Sequence, residues 1–118
     1  MVRDLNLMRQ IMLDLEKYPE PMTSLSALYP NETDENAANI KLWHLKLLED
    51  AGYIKLGSIT IGCYPDCQIN MITNDGYEFI RLTKEESIWK KLYPLFLKGG
   101  GIASTTVIQK LVEKLLAP

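Results

Sequence analysis

The chain has 118 residues, of which 47 % are hydrophobic, with 13 basic and 15 acidic side chains. This composition is typical of one globular domain, long enough to bury a core without a disulfide framework or a structural metal. Its longest apolar runs are a few residues, far below the roughly 20 that cross a bilayer. The N-terminal residues resemble neither a signal peptide nor a transit peptide. We therefore expect a cytoplasmic protein without a transmembrane segment.

The charges are unevenly distributed along the chain. Residues 1–80 hold 6 basic and 12 acidic side chains, a net charge of −6, whereas residues 81–118 hold 7 and 3, a net charge of +4. A polyanion is attracted by clustered lysine and arginine and repelled by carboxylates. Any contact with nucleic acid would therefore have to use the C-terminal part, or the protein binds something else.

The first elements are a helix, a break and a short ambiguous segment. Apolar residues recur every three or four positions over Leu5–Leu15, which predicts an amphipathic helix capped by Asp4. The two prolines of Tyr18–Pro21 end this helix, since proline lacks an N–H donor. Residues 22–28 are compatible with either a short strand or a helical turn.

A second long helix follows residue 33. Thr33 or Asp34 can cap it, and Gly52 is placed to end it in a left-handed conformation. At 100° per residue, Leu42 falls on the polar side and Trp43 at the border. The predicted buried face consists of Ala37, Ile40, His44, Leu45, Leu47, Leu48 and Ala51.

Alternating apolar and polar residues over 53–61 and 68–72 predict a β-hairpin around a turn at Tyr64–Asp66. Placing apolar side chains on one face sets the expected register. That register pairs Cys63 with Cys67, Ile61 with Ile69, and Ile59 with Met71.

Three helices are predicted after the hairpin. Thr73 can cap the first. Thr83, with a glutamate three residues later, has the spacing of a capping box that begins the second, in which Pro94 is a candidate kink. The run Gly99–Gly101 reads as a flexible hinge, and Ser104 can cap the last helix.

Two segments carry a resemblance to winged-helix regulators. Residues 44–54, HLKLLEDAGYI, resemble the end of the second helix of the helix-turn-helix and its passage into the first wing strand. Residues 72–80, ITNDGYEFI, resemble the return from the wing into the next helix. With residues 3–9 and 87–90 included, the chain also resembles small phage and prophage proteins classed as a domain of unknown function.

This resemblance implies an α+β, mostly α fold. A winged helix-turn-helix with a β-hairpin wing is expected over residues 1–82, and a C-terminal helical extension over residues 83–118. The family contributes no catalytic residues, so we expect a non-enzymatic binding module without a cofactor.

The predicted second helix is poorly equipped for DNA. In DNA-binding winged helices it enters the major groove while the wing contacts phosphates. Here it carries Lys41 and Lys46 against four carboxylates, and residues 57–68 contain no lysine or arginine. We therefore expect a protein partner, with Asn39, Leu42, Trp43 and Lys46 as the binding candidates. Internal packing of Trp43 is the alternative.

A DNA-binding regulator remains the second hypothesis, with double-stranded DNA as the partner. Its candidate contacts are Asn36, Asn39, Lys46, Lys90 and Lys91.

The last helix has an apolar stripe that must be buried on its own domain or on a second copy. The candidates for a homodimer contact are Val107, Ile108, Leu111 and Leu115.

Neither cysteine nor histidine predicts catalysis or metal binding. Cys63 and Cys67 are expected to stay reduced in the cytoplasm. His44 is the only other soft ligand candidate, and it lies on an apolar helix face without an accompanying nucleophile. We expect a hydrogen-bonded, partly buried histidine, no metal site and no small-molecule substrate.

Overall fold

A computed structural model describes residues 1–60 and 64–117. The chain is α+β and mostly helical, with a small three-stranded antiparallel sheet. The elements are α1 (Leu5–Lys17), β1 (Thr23–Ser24), α2 (Leu25–Leu28), α3 (Glu35–Asp50), β2 (Ile54–Thr60), β3 (Asp66–Ile72), α4 (Asn74–Thr83), α5 (Glu86–Lys98) and α6 (Thr105–Leu116). No helix among the described residues has the length and apolar character needed to cross a membrane.

Four helices begin where the sequence predicts. A side-chain oxygen of each capping residue accepts a hydrogen bond from a backbone N–H in the first turn, which otherwise has no intrahelical partner. These caps are Asp4 of α1, Asp34 of α3, Thr73 of α4 and Ser104 of α6. Local sequence therefore determines these helix starts.

The capping box predicted at Thr83 is wrong. Thr83 is the last residue of α4, is buried, and donates its hydroxyl to the carbonyl of Phe79 at 2.8 Å. Helix α5 begins after Glu85, which makes no side-chain cap. The Thr83 hydroxyl does not cap α5 because it already donates to a carbonyl within α4.

Residues 22–28 form both of the structures that their sequence allows. Thr23 and Ser24 are β1, which pairs with Ile69 and Gln68 of β3, and the chain then turns into α2. The resulting sheet order is β1-β3-β2.

The predicted hairpin register is wrong. Leu56 pairs with Ile69, and Ile59 pairs with Cys67, with shifts between Lys55 and Leu56 and between Leu56 and Ile59. The buried residues of β3 are Cys67 and Ile69, whereas Ile59 and Met71 are 37 % and 44 % exposed. The connection is longer than a three-residue turn, so simple alternation misplaced the pairs. Residues 61 and 63 lie outside the described part of the chain.

Helix α3 buries a different arc from the predicted one. It packs against α1 on one side and against α2 and the β2–β3 hairpin on others. Leu42, expected to be exposed, is only 4 % exposed, while Ala51 lies at the surface. Its buried residues are Ala38, Leu42, His44, Leu45 and Leu48.

The C-terminal helices share one core with the rest of the molecule. Helix α6 packs on α4 and α5, where Ile108 is completely buried and Val112 is 9 % exposed. Residues assigned to the segments 1–82 and 83–118 therefore contribute to the same hydrophobic cluster.

The run Gly99–Gly101 is a helix end rather than the expected hinge. The N–H of Gly101 donates to Phe96 and the N–H of Gly100 donates to Leu97, which is the Schellman pattern of helix termination. Gly100 has φ +83°, a conformation that favours glycine. The Arg3 guanidinium also donates to the Gly100 carbonyl, so the turn is held to the N-terminus.

Candidate functional site

The solvent side of α3 presents a tryptophan. Trp43 is 49 % exposed, so the alternative in which it packs internally is wrong. Asn39 and Lys46 lie four residues before and three after it, a spacing that places side chains on one side of a helix. The Lys46 ammonium lies 4.2 Å from the centroid of the indole ring. This contact holds the ring in a defined orientation at the surface.

We call this surface the α3 face. It consists of Glu35, Asn36, Asn39, Trp43, Lys46 and Asp50. Three of the four partner-binding candidates, Asn39, Trp43 and Lys46, are brought together on it. Leu42 is the exception, because its side chain is turned into the core.

The second lysine of α3 does not contribute to this face. Lys41 forms an ion pair with Glu32, in which both side chains are about one-fifth exposed. Its ammonium also lies 4.7 Å from the centroid of the Tyr29 ring. The hydrogen bond from Lys41 lowers the pKa of the Glu32 carboxyl, with burial opposing it. Lys46 is therefore the one cation that α3 presents among the described residues.

Carboxylates lie at both ends of the α3 face. Glu35 is in the first turn and Asp50 is the last helical residue, and both are exposed. Neither forms an ion pair within the described part of the chain. The face is therefore apolar and cationic at its centre and anionic at its ends, an arrangement that repels phosphates at the ends.

The described end of the β2–β3 connection and the start of β3 are hydrogen-bonded to the loop before α3 and to α2. Pro65 is buried, and Tyr64 donates its hydroxyl to the Glu32 carbonyl. The Asp66 carboxylate accepts from the Ser26 hydroxyl at 2.7 Å and from the Ser26 N–H at 3.0 Å. Burial raises the pKa of Asp66, but these bonds outweigh it and the pKa is lowered. This segment is thus used for internal contacts.

Cys67 is a poor nucleophile. Burial, followed by the charges of Asp66 and Glu49, raises the pKa of its thiol to about 11, so the thiolate is scarce near neutral pH. The predicted pair with Cys63 falls on a residue outside the described chain. No group of metal-binding side chains occurs in residues 1–60 and 64–117.

His44 of α3 is completely buried, with its ring next to the start of α1. Its Nε2 accepts from the Asp4 N–H at 2.9 Å, and its Nδ1 lies 2.7 Å from the Ile40 carbonyl, to which it donates. Both ring nitrogens are therefore engaged in structural contacts, and the ring is not presented to a substrate.

The remaining candidates lie outside the α3 face. Lys90 and Lys91 are exposed on α5. Of the dimer candidates on α6, Ile108 is buried in the protein's own core, Leu111 and Leu115 are half-buried, and Val107 is 46 % exposed. Most of this apolar stripe packs within the chain.

Sequence reasoning missed a cleft of about 300 Å³ beside the sheet. It lies between the segment Tyr18–Pro21, β3 and α4, and its walls include Met71 and Tyr77, which are 44 % and 53 % exposed. The cleft was missed because the expected register placed Met71 on a buried face.

Comparison with known proteins identifies the family. A family model described as a hypothetical protein, DUF2513, matches residues 2–102, which include α1 to α5. Searches of curated proteins and of solved structures give no match. Because the match covers most of the sequence, the chain belongs to the DUF2513 family.

Proposed function

We propose that this protein is a non-enzymatic binding module of the winged-helix type, and that its α3 face recognises another protein. The order of elements supports the fold assignment: helix, strand and two helices precede a hairpin, and β1 pairs with the second hairpin strand. In this assignment α3 is the recognition helix and the β2–β3 hairpin is the wing. The resemblance to phage proteins supports a phage or prophage origin.

The single observation that carries the proposal is the exposure of Trp43 at the centre of α3. A large aromatic side chain that is half exposed and held beside a cation is typical of residues that dominate protein interfaces. Asn39 and Lys46 supply polar groups around it. The face therefore has an aromatic anchor surrounded by hydrogen-bonding groups, as protein interfaces do.

DNA binding through α3 remains the second candidate, because Asn36, Asn39 and Lys46 could contact bases or phosphates. The charges argue against it. Lys41 forms an ion pair with Glu32. In the described part of the wing, Tyr64 and Asp66 are hydrogen-bonded to other parts of this protein. One lysine between two exposed carboxylates releases few counterions on binding a duplex.

The proposal is tested by capture of partners from a bacterial lysate on the immobilised full-length protein. Trp43→Ala is compared with Tyr77→Ala, a matched control because Tyr77 is an exposed aromatic residue on α4. We expect a stoichiometric partner with the unmodified protein and with Tyr77→Ala, and its loss with Trp43→Ala. Equal recovery with both variants would remove the α3 face from the interaction.

A parallel measurement addresses DNA. Fluorescence anisotropy with random duplex DNA at low and moderate salt is expected to show weak binding that Lys46→Ala does not change. Tight, steeply salt-dependent binding that Lys46→Ala weakens would favour the DNA-binding regulator instead.

A further inference from the structure

The two C-terminal helices present a second surface with a regular composition. On α5, Lys91, Leu95 and Lys98 are separated by four and three residues; on α6, Val107, Lys110 and Lys114 are separated by three and four. Each spacing places its three side chains on one side of the helix. All four lysines are exposed, and Leu95 and Val107 are 39 % and 46 % exposed. We call these six residues the lysine face.

The lysines of this face are not neutralised by the protein itself. None of the ion pairs found in residues 1–60 and 64–117 involves any of them. The nearest carboxylate in sequence, Glu113, accepts a hydrogen bond from Gln109 at 2.9 Å. Helices α5 and α6 pack against each other, and residues 81–118 carry a net charge of +4, so both stripes belong to the positively charged part of the protein.

The α3 face has the opposite arrangement. Its ends carry the exposed carboxylates Glu35 and Asp50, separated by about 22 Å along the helix at 1.5 Å per residue. Its centre carries the exposed Trp43. Both surfaces therefore combine apolar side chains with charged ones. Two of the three charged side chains of the α3 face are carboxylates, the third being Lys46, whereas all four of the lysine face are cations.

We propose that the lysine face of one copy of this protein binds the α3 face of a second copy. The inference rests on the proposed function and names one protein that the α3 face would bind. Leu95 and Val107 would cover the Trp43 ring, while the lysines approach Glu35 and Asp50. An apolar centre with a complementary charged rim is the usual anatomy of a protein interface.

Two observations favour a second copy over a nucleic acid. Each stripe includes an exposed aliphatic side chain, which gains nothing from a phosphate backbone but is stabilised by burial against an indole ring. The face contains lysine and no arginine, the residue that contacts phosphates and bases in a bidentate manner. Each copy also carries both surfaces, so every copy can supply either side of the contact.

The test is the mass of the full chain by sedimentation equilibrium over a range of protein concentration. We expect association above the 13.5 kDa monomer, weakened at high salt because the charged contacts are screened. Lys91→Glu/Lys98→Glu is expected to weaken self-association by roughly tenfold or more, since like charges then meet. Lys17→Glu, an exposed charge reversal at the end of α1, is the control and should leave it unchanged.

The decisive experiment mixes two charge-reversed proteins. Glu35→Lys/Asp50→Lys alone is expected to associate more weakly than the unmodified protein, like Lys91→Glu/Lys98→Glu alone. In an equimolar mixture the unaltered lysine face of the first protein meets the unaltered α3 face of the second, so association should return. Circular dichroism of each protein confirms that it is folded.

The outcomes separate this inference from the proposed function. A chain that stays monomeric at every concentration, or a mixture that does not associate, would overturn the self-association. If a partner is still captured in a Trp43-dependent manner, the proposed function survives. Binding of random duplex DNA that Lys91→Glu/Lys98→Glu abolishes would overturn the inference and assign the lysine face to nucleic acid.

Discussion

The imidazole of His44 accepts a hydrogen bond from the backbone N–H of Asp4, the residue that caps α1. The two residues are 40 positions apart in sequence, and the contact joins the start of α1 to the middle of α3. The capping carboxylate of Asp4 meanwhile accepts from the Leu7 N–H at 3.1 Å. One residue thus begins a helix locally and fixes its position through a distant side chain.

Replacement of His44 by Phe is expected to lower the free energy of unfolding by about 2 kcal/mol. Phenylalanine keeps most of the packing volume but leaves the Asp4 N–H without its acceptor. It also removes the imidazole donor to the Ile40 carbonyl, which keeps its bond within the helix. Urea unfolding measures the change. Lys55→Ala, at an exposed position on β2, is the control, and an equal effect of both substitutions would contradict the role of the imidazole.

Arg9 should be irreplaceable by lysine. Its Nε donates to the Thr83 carbonyl at 2.8 Å and its Nη2 to the Lys84 carbonyl at 2.9 Å, and its guanidinium lies 5.3 Å from the centroid of the Trp89 ring. The single ammonium group of lysine cannot reproduce this planar pair of hydrogen bonds to two carbonyls. We expect Arg9→Lys to cost about 2 kcal/mol, measured by thermal or urea unfolding.

The ion pair of Arg9 with Glu86 provides the comparison. Glu86 has a 64 % exposed side chain, and exposed ion pairs contribute less than about 1 kcal/mol. Glu86→Gln should therefore be nearly neutral. If it is as destabilising as Arg9→Lys, the salt bridge, and not the carbonyl contacts, holds α1 to the α4–α5 junction.

Gly76 should tolerate no side chain. A Cβ atom there would lie 2.1 Å from the Tyr53 carbonyl oxygen and 2.8 Å from Cγ2 of Ile72. We expect Gly76→Ala to destabilise the protein by about 3 kcal/mol through overpacking. In Gly99→Ala, the matched control, the nearest atom would be 3.4 Å away and φ is −82°. That variant should be neutral or slightly stabilised, and similar effects at both sites would refute the steric argument.

Alkaline pH should destabilise the protein through Tyr53. Burial, followed by the negative charge of Asp75, raises the pKa of its phenol to about 12, against about 10 in an unfolded chain. The stabilisation from the neutral phenol is complete below pH 10 and is lost as the pH rises towards 12. Burial, then the hydrogen bond to Asp14, also raises the pKa of Tyr29, so both groups act in the same direction.

Urea midpoints between pH 8 and pH 12 test this dependence. Tyr53→Phe loses the hydrogen bond to the Ala103 carbonyl but keeps the ring that stacks on Phe79. Its stability should therefore fall less steeply with pH than that of the unmodified protein. An unchanged slope would mean that other groups cause the alkaline loss.

Helix starts and breaks were the most predictable features. The Asp4, Asp34, Thr73 and Ser104 caps are local contacts within three residues, and the Tyr18–Pro21 break follows from the geometry of proline. Thr83 was mispredicted for a tertiary reason. Thr83 is completely buried at the end of α4, where the Arg9 guanidinium donates to its carbonyl. A capping pattern contains no information about such a site.

The candidate site was predicted in part. Asn39, Trp43 and Lys46 lie on one side of α3 because their spacing is a property of one helix. The exposure of Leu42 was wrong because α3 has neighbours on several sides, so its buried arc is wider than one amphipathic stripe. The pairing of Lys41 with Glu32 also depends on the loop before α3, which the sequence does not position.

By itself, the sequence determined the order of the elements, most helix starts and the separation of an acidic N-terminal part from a basic C-terminal part, because these depend on residues close together in the chain. Only the tertiary structure decided the hairpin register, the rotation of α3 and the ordered turn at Gly99–Gly101. These features depend on contacts between distant segments, such as β1 with β3 and Arg3 with Gly100. The exposed surfaces left by that packing, the α3 face and the lysine face, are consequently visible only in the folded chain.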